Sequence, residues 1–219
     1  MTTAAVPAPI AAAKTKAKRK RAPSVPEALV KEIIDGIPFY HKGYKNVLSG
    51  KQNPEEIMGA SGIQSLLVSY LYGHLYTMLN RRKYWLLISE LGSNLDKRNN
   101  LSFDLAIFNR SALKPQDFDL HYLKIAPRIV IEVDTGVDTS DDIPEHEYIY
   151  RKTRNLLEFG TEKIIWIFTR TQQVTVVTSL DNWTTFPWKE NVEVLDDVSF
   201  NIAEYLEEEG IDLSTALNK

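Results

Sequence analysis

Two apolar runs with one helical segment between them constrain this chain more than any other feature. "RIVIEVD" (128–134) and "EKIIWIFT" (162–169) are rich in Ile and Val and have the length of buried strands. Between them, "HEYIYRKTRNLLEFG" (146–160) carries apolar residues at helical spacing and closes on Gly160, a natural helix stop. A strand, a helix and a second strand in one sheet form a right-handed crossover, so these two strands are expected to run parallel. The second is apolar on both faces and is expected near the centre of the sheet.

Other elements are weaker. Residues 54–80 hold the longest helical pattern, with Ile63, Leu66, Leu67, Tyr70, Leu71, His74, Leu75 and Met78 in register. "YWLLISE" (84–90) and "LSFDLAIF" (101–108) read as strands joined by a polar loop, "LGSNLDKRNN". Residues 27–50 read as a short helix and turn, then an irregular or hairpin segment. "QQVTVVTSL" is expected to pair back as a hairpin, and "NIAEYLEEEGIDL" is a helical tail. The expected fold is α/β: a helix, three strands, a helix and a strand, forming a mixed sheet flanked by helices.

The strand at 128–134 poses a chemical question. Alternation places Ile129, Ile131 and Val133 on one face and Val130, Glu132 and Asp134 on the other. Asp104 lies inside the preceding strand among Phe103, Leu105, Ile107 and Phe108. A carboxylate in such surroundings is costly unless it is paired or bound to metal. The following helix offers a cation. At 100° per residue from Tyr148, Phe159 falls at about 20°, Leu156 at about 80° and Lys152 at about 40°, so the lysine is centred on the apolar stripe. Taken singly, Lys152 reads as a lysine that carries its amine past the stripe into water, and Asp134 as a solvated strand end. Together, Asp104, Glu132 and Lys152 converge at one edge of the sheet. Carboxylates with a nearby lysine suit metal-dependent phosphodiester hydrolysis, and oxygen ligands favour Mg or Mn.

Composition narrows the alternatives. The chain has no cysteine, which excludes disulfides, thiol nucleophiles and thiolate metal sites. No apolar run is long enough to span a membrane, and no secretory pattern is present, so a cytoplasmic location is the expectation. No Walker loop, dinucleotide fingerprint or G-x-S-x-G occurs, and His41, His74, His121 and His146 lack ligand or triad spacing. Charge is uneven. Residues 1–26 carry six basic residues and no acid, whereas 27–219, taken as one domain, has 20 basic and 29 acidic residues, a net of −9. The arm reads as disordered: either a phosphate-tracking segment, a localisation signal or tag remnant, or a solvated tail.

The order of these pieces resembles the PD-(D/E)XK nuclease superfamily. Within it, the chain is similar to a bacterial family of unknown function assigned as restriction endonucleases. The matching pieces are "EIIDG", "FDLAIF", "RIVIEVD" and "RKTRNLLEFGTEKIIWIF", spread over roughly residues 27–180. The resemblance implies a restriction-endonuclease-like core with Asp104 and Glu132 as metal ligands and Lys152 in the lysine role, moved to the helix. Asp134 stands where the superfamily motif has its lysine; it is either a third metal ligand or an uncompensated charge that weakens the site. Glu32 and Glu90 are lesser candidates, expected at the surface. DNA is the implied substrate, with a homodimer possible. The alternatives are a catalytically silent binding module on the same fold and a metal enzyme for a smaller phosphoester.

Overall fold

The computed structural model describes residues 25–96, 99–139 and 143–212. The basic arm, up to residue 24, lies outside the described residues. After a short 3-10 turn the chain forms a hairpin of β1 (Val30–Ile34) and β2 (Ile37–Tyr40). A helix was expected here. The strand wins because Asp35 and Gly36 both take positive φ, 56° and 78°, which makes a two-residue turn matched to the twist of paired strands.

Two short helices, α1 (Tyr44–Leu48) and α2 (Glu55–Met58), lead to the long α3 (Gly62–Met78). Ser61 caps α3 by accepting the Gln64 N–H. Strands β3 (Tyr84–Asp96) and β4 (Asn99–Asn109) form one long antiparallel hairpin. The expected polar loop is therefore largely strand: cross-strand pairing from Gly92↔Ser102 to Asp96↔Asn99 overrides its turn-forming composition. Next come β5 (Ile129–Val133), α4 (Glu145–Phe159), β6 (Lys163–Phe168), β7 (Gln173–Ser179) and β8 (Asn182–Pro187). A small β9 (Val192–Leu195) and β10 (Val198–Phe200) hairpin precedes α5 (Ile202–Glu208).

The main sheet runs β2-β1-β4-β5-β6-β7-β8, with β3 on the other edge of β4. It is mixed: β5 and β6 are parallel, as the crossover requires, and the other pairs are antiparallel. Each face has its own core. Leu67, Leu71 and Leu75 of α3 pack on Ile131, Val133 and Ile165. Tyr148 and Leu156 of α4 pack on Phe108, Val130, Ile164 and Trp166. Helix α4 ends as the sequence suggests, with Gly160 at φ 115° and its N–H bonded to Leu156 and Leu157 carbonyls. Gly160→Ala is expected to cost about 1–2 kcal/mol in urea unfolding, because an L residue is strained there. Among the described residues, no helix is long and apolar enough to cross a membrane.

Candidate active site

The site arises from a gap in strand pairing. One edge of β4 is occupied by β3, except at Asp104, where the register shifts between Ile88 and Leu91. The other edge is shared: Asn100 pairs with Ile33 of β1, and residues 105–107 pair with β5. Between those pairings, residues 101–104 have no strand partner on that edge. Buried backbone groups must still be satisfied, so side chains do it. Glu32 Oε1 accepts the Ser102 N–H at 3.0 Å. Lys152 Nζ donates to the Ser102 carbonyl at 2.8 Å. Asp104 Oδ2 accepts the Val133 N–H at 2.7 Å, standing in for the missing carbonyl.

A register shift in the β3–β4 pairing, between Ile88 and Leu91, coincides with a change in the face that Asp104 takes. Leu101 and Phe103 belong to the α4-side core, and so do Ala106 and Phe108. The alternation therefore skips one place at Asp104 and Leu105. Asp104 escapes the α4-side core, and its Oδ1 faces Gln64 of α3 at 3.5 Å. Burial raises its carboxyl above the usual range, against the pull of the Val133 N–H, Lys152 and Lys31.

Lys152 is the centre of charge. It is 1% exposed on the buried stripe of α4. Its ammonium lies 2.7 Å from Glu32 Oε1 and 2.9 Å from Glu132 Oε1. Burial disfavours its charge, but the two carboxylates outweigh that and hold its pKa well above the ordinary lysine value. Glu32 is the better-served partner. Its Oε1 also accepts from Ser102 Oγ at 3.0 Å, and its Oε2 accepts from the Tyr148 hydroxyl at 2.7 Å. Burial opposes its ionisation, yet Lys152 and these hydrogen bonds keep its carboxyl below the usual range. Glu132 is left short. It is 6% exposed, and its Oε1 has no aligned hydrogen-bond donor despite the short contact with Lys152. Burial, with the charges of Asp104 and Glu32 added and Lys152 opposing, pushes its carboxyl up to about 8.

This asymmetry has a measurable consequence. Between pH 4.5, the ordinary glutamate value, and pH 8, the folded chain keeps a proton at Glu132 that the unfolded chain releases. Stability contributed by that proton is complete below the lower value and lost as pH rises to the upper one. Urea unfolding of the parent should show this decline with pH, and in Glu132→Gln it should be absent.

The other expected site residues separate. Asp134 does not join the cluster. Its φ of 57° ends the strand alternation, and its carboxylate accepts from Thr169 N at 2.9 Å and Thr169 Oγ1 at 2.6 Å. Among the described residues no three acidic or histidine side chains converge at metal-binding distance, so a set of Asp104, Glu132 and Asp134 is not assembled. Glu32, expected at the surface, is 2% exposed at the heart of the site. Glu90 lies in β3, and its side chain is outside the described residues. His74 contacts the Ser199 carbonyl at 2.7 Å, and His146 opens the first turn of α4.

The carboxylates that could hold a divalent ion are Asp104 and Glu132. Both are hard oxygen donors. Glu132 Oε1 is a buried acceptor without a donor, and Asp104 Oδ1 has only the long Gln64 contact. One or two carboxylates completed by water suit Mg. Asp104 also lines a cleft of about 1590 Å³ between α3, the loop after β5 and the start of α4. Lys31, Lys42 and Arg170 supply its positive charge; Asp134, Asp138 and Glu145 add acid.

No family model matches the sequence, and no curated protein sequence matches it significantly. A solved structure does. It is described as a "putative nuclease belonging to DUF820", from Anabaena variabilis ATCC 29413. The likeness covers 80% of this chain and 89% of that one, with a TM-score of 0.55 and 18% identity. At that identity it shows the fold alone: this chain shares the mixed α/β fold of that protein.

Proposed function

We propose that the protein is a Mg- or Mn-dependent endonuclease that hydrolyses DNA phosphodiester bonds, with its centre in the β4–β5 gap. A pair of buried carboxylates carries the reading: Glu132 Oε1 has an ion-pair contact with Lys152 but no hydrogen bond, and Asp104 is near enough for its charge to raise the Glu132 pKa. Two buried carboxylates so placed are costly unless they receive more positive charge than Lys152, which also serves Glu32, can supply.

Asp104 and Glu132 would hold the ion, which would supply Lewis acidity toward phosphoryl oxygens. Asp104 is fixed in place by the Val133 N–H. Lys152 fixes Glu132 by charge, and is itself fixed by Glu32 and the Ser102 carbonyl. Its ammonium donates hydrogen bonds to Glu32 and the Ser102 carbonyl. DNA enters through the cleft beside Asp104. The acidic body is a poor duplex-binding surface by itself, so the basic arm or a second copy supplies the complementary face.

The burial of Lys152 favours a second reading, a catalytically silent binding module in which the lysine only neutralises two glutamates. Supercoiled plasmid and single-stranded DNA, each incubated with Mg, with Mn and with chelator, separate the two. Metal-dependent scission supports the nuclease, and intact DNA in every condition supports the silent module.

A further inference from the structure

The buried lysine leaves the substrate without an obvious cation. Lys152 is 1% exposed and does not line the cleft. Lys31 does, alongside Asp104. Its placement has a structural cause. Val30 pairs with Tyr40 and Glu32 with Phe39, so Lys31 is the extra residue of a β-bulge. Bulges re-aim side chains and recur beside active sites. Here the bulge lets adjacent residues serve different places: Glu32 is buried against Lys152, and Lys31 extends to the loop after β5. Among the described residues the Lys31 side chain forms no hydrogen bond and no ion pair, although its charge is felt at Asp104. Gly136 makes room for it. That residue has φ +61°, and a Cβ there would lie 2.6 Å from Lys31 Nζ.

We propose that Lys31 is the phosphate-binding cation of the cleft, contacting the DNA phosphate at Asp104 while Lys152 remains an internal support for Glu132. The inference rests on the nuclease reading. An ammonium on a short tether, next to a carboxylate centre and with no protein partner, is suited to a phosphate oxygen and to the negative charge that develops on it. Lys42 and Arg170 line the same cleft but have no comparable link to Asp104.

Lys31→Met keeps the stem and removes the charge; Lys31→Arg keeps the charge. Each is compared with the parent in two assays. The first is plasmid nicking in Mg or Mn. The second is binding of a duplex oligonucleotide in chelator over a salt series. Lys31→Met is expected to lose about ten- to a hundredfold in kcat/KM. Its slope of log affinity against log salt should fall by about one, the mark of one lost phosphate contact. Lys31→Arg should restore the slope. Gly136→Ala, which displaces the lysine without deleting it, should weaken binding in the same direction and serves should Lys31→Met fold poorly. Parent-like cleavage and salt slope in Lys31→Met, with an active parent, overturn this inference and leave the nuclease standing. A parent that neither binds nor cuts DNA overturns both.

Discussion

Glu132→Gln is expected to lower metal-dependent cleavage at least about a hundredfold while making the protein more stable than its parent near neutral pH and equally stable below pH 4.5, where the parent's Glu132 is protonated in both states. The two halves of this result come from one fact. The Glu132 carboxyl is raised to about 8, so without metal it is neutral at pH 7. Glutamine has nearly the same shape and the same charge as that protonated form, so packing against Lys152 and β6 survives. It lacks the negative charge that a divalent ion needs. Chemical unfolding and plasmid nicking, run on the same preparations, check both halves. A stable variant that still cuts at the parental rate removes Glu132 from the metal site.

Lys152→Met has the opposite signature, a large loss of stability. Methionine matches the stem but leaves Glu32 and Glu132 buried without their cation. Removing one partner of a buried ion pair typically costs about 3–5 kcal/mol. The Ser102 carbonyl also loses its donor. Glu32, which Lys152 keeps ionised, must now either protonate or remain as an unpaired charge. Adding Glu32→Gln and Glu132→Gln to Lys152→Met should recover most of the loss, because a neutral cluster of the same volume has little desolvation cost. Urea unfolding of the single and triple variants measures this. Equal stability of Lys152→Met and the parent would show that the lysine charge contributes nothing to the fold.

The parts of the site legible in the sequence belong to strongly periodic elements. Lys152 was locatable because helix α4 has one clear apolar stripe and the lysine sits in it. The parallel β5–β6 pair followed from two Ile/Val-rich runs around that helix, and Asp104 stood out as a carboxylate in mid-strand. What escaped depended on backbone irregularities. Asp134 was assigned to the Glu132 face by simple alternation, but a left-handed φ turned it to Thr169. Glu32 ranked as a lesser, surface candidate because the segment holding β1 reads as a short helix and turn, although "DG" after an apolar run is a hairpin signal. Lys31 had no signal, since a single-residue bulge leaves no periodic trace. The pairing gap at residues 101–104 is likewise a property of how β1 and β5 share one edge, which no local pattern encodes.

The most direct test of the metal centre is equilibrium binding of Mn to the parent, to Glu132→Gln and to Asp104→Asn, followed by calorimetry. Saturable binding by the parent, lost in both variants while all three chains stay folded, is the expected result. No binding by the parent, or undiminished binding by both variants, would contradict it.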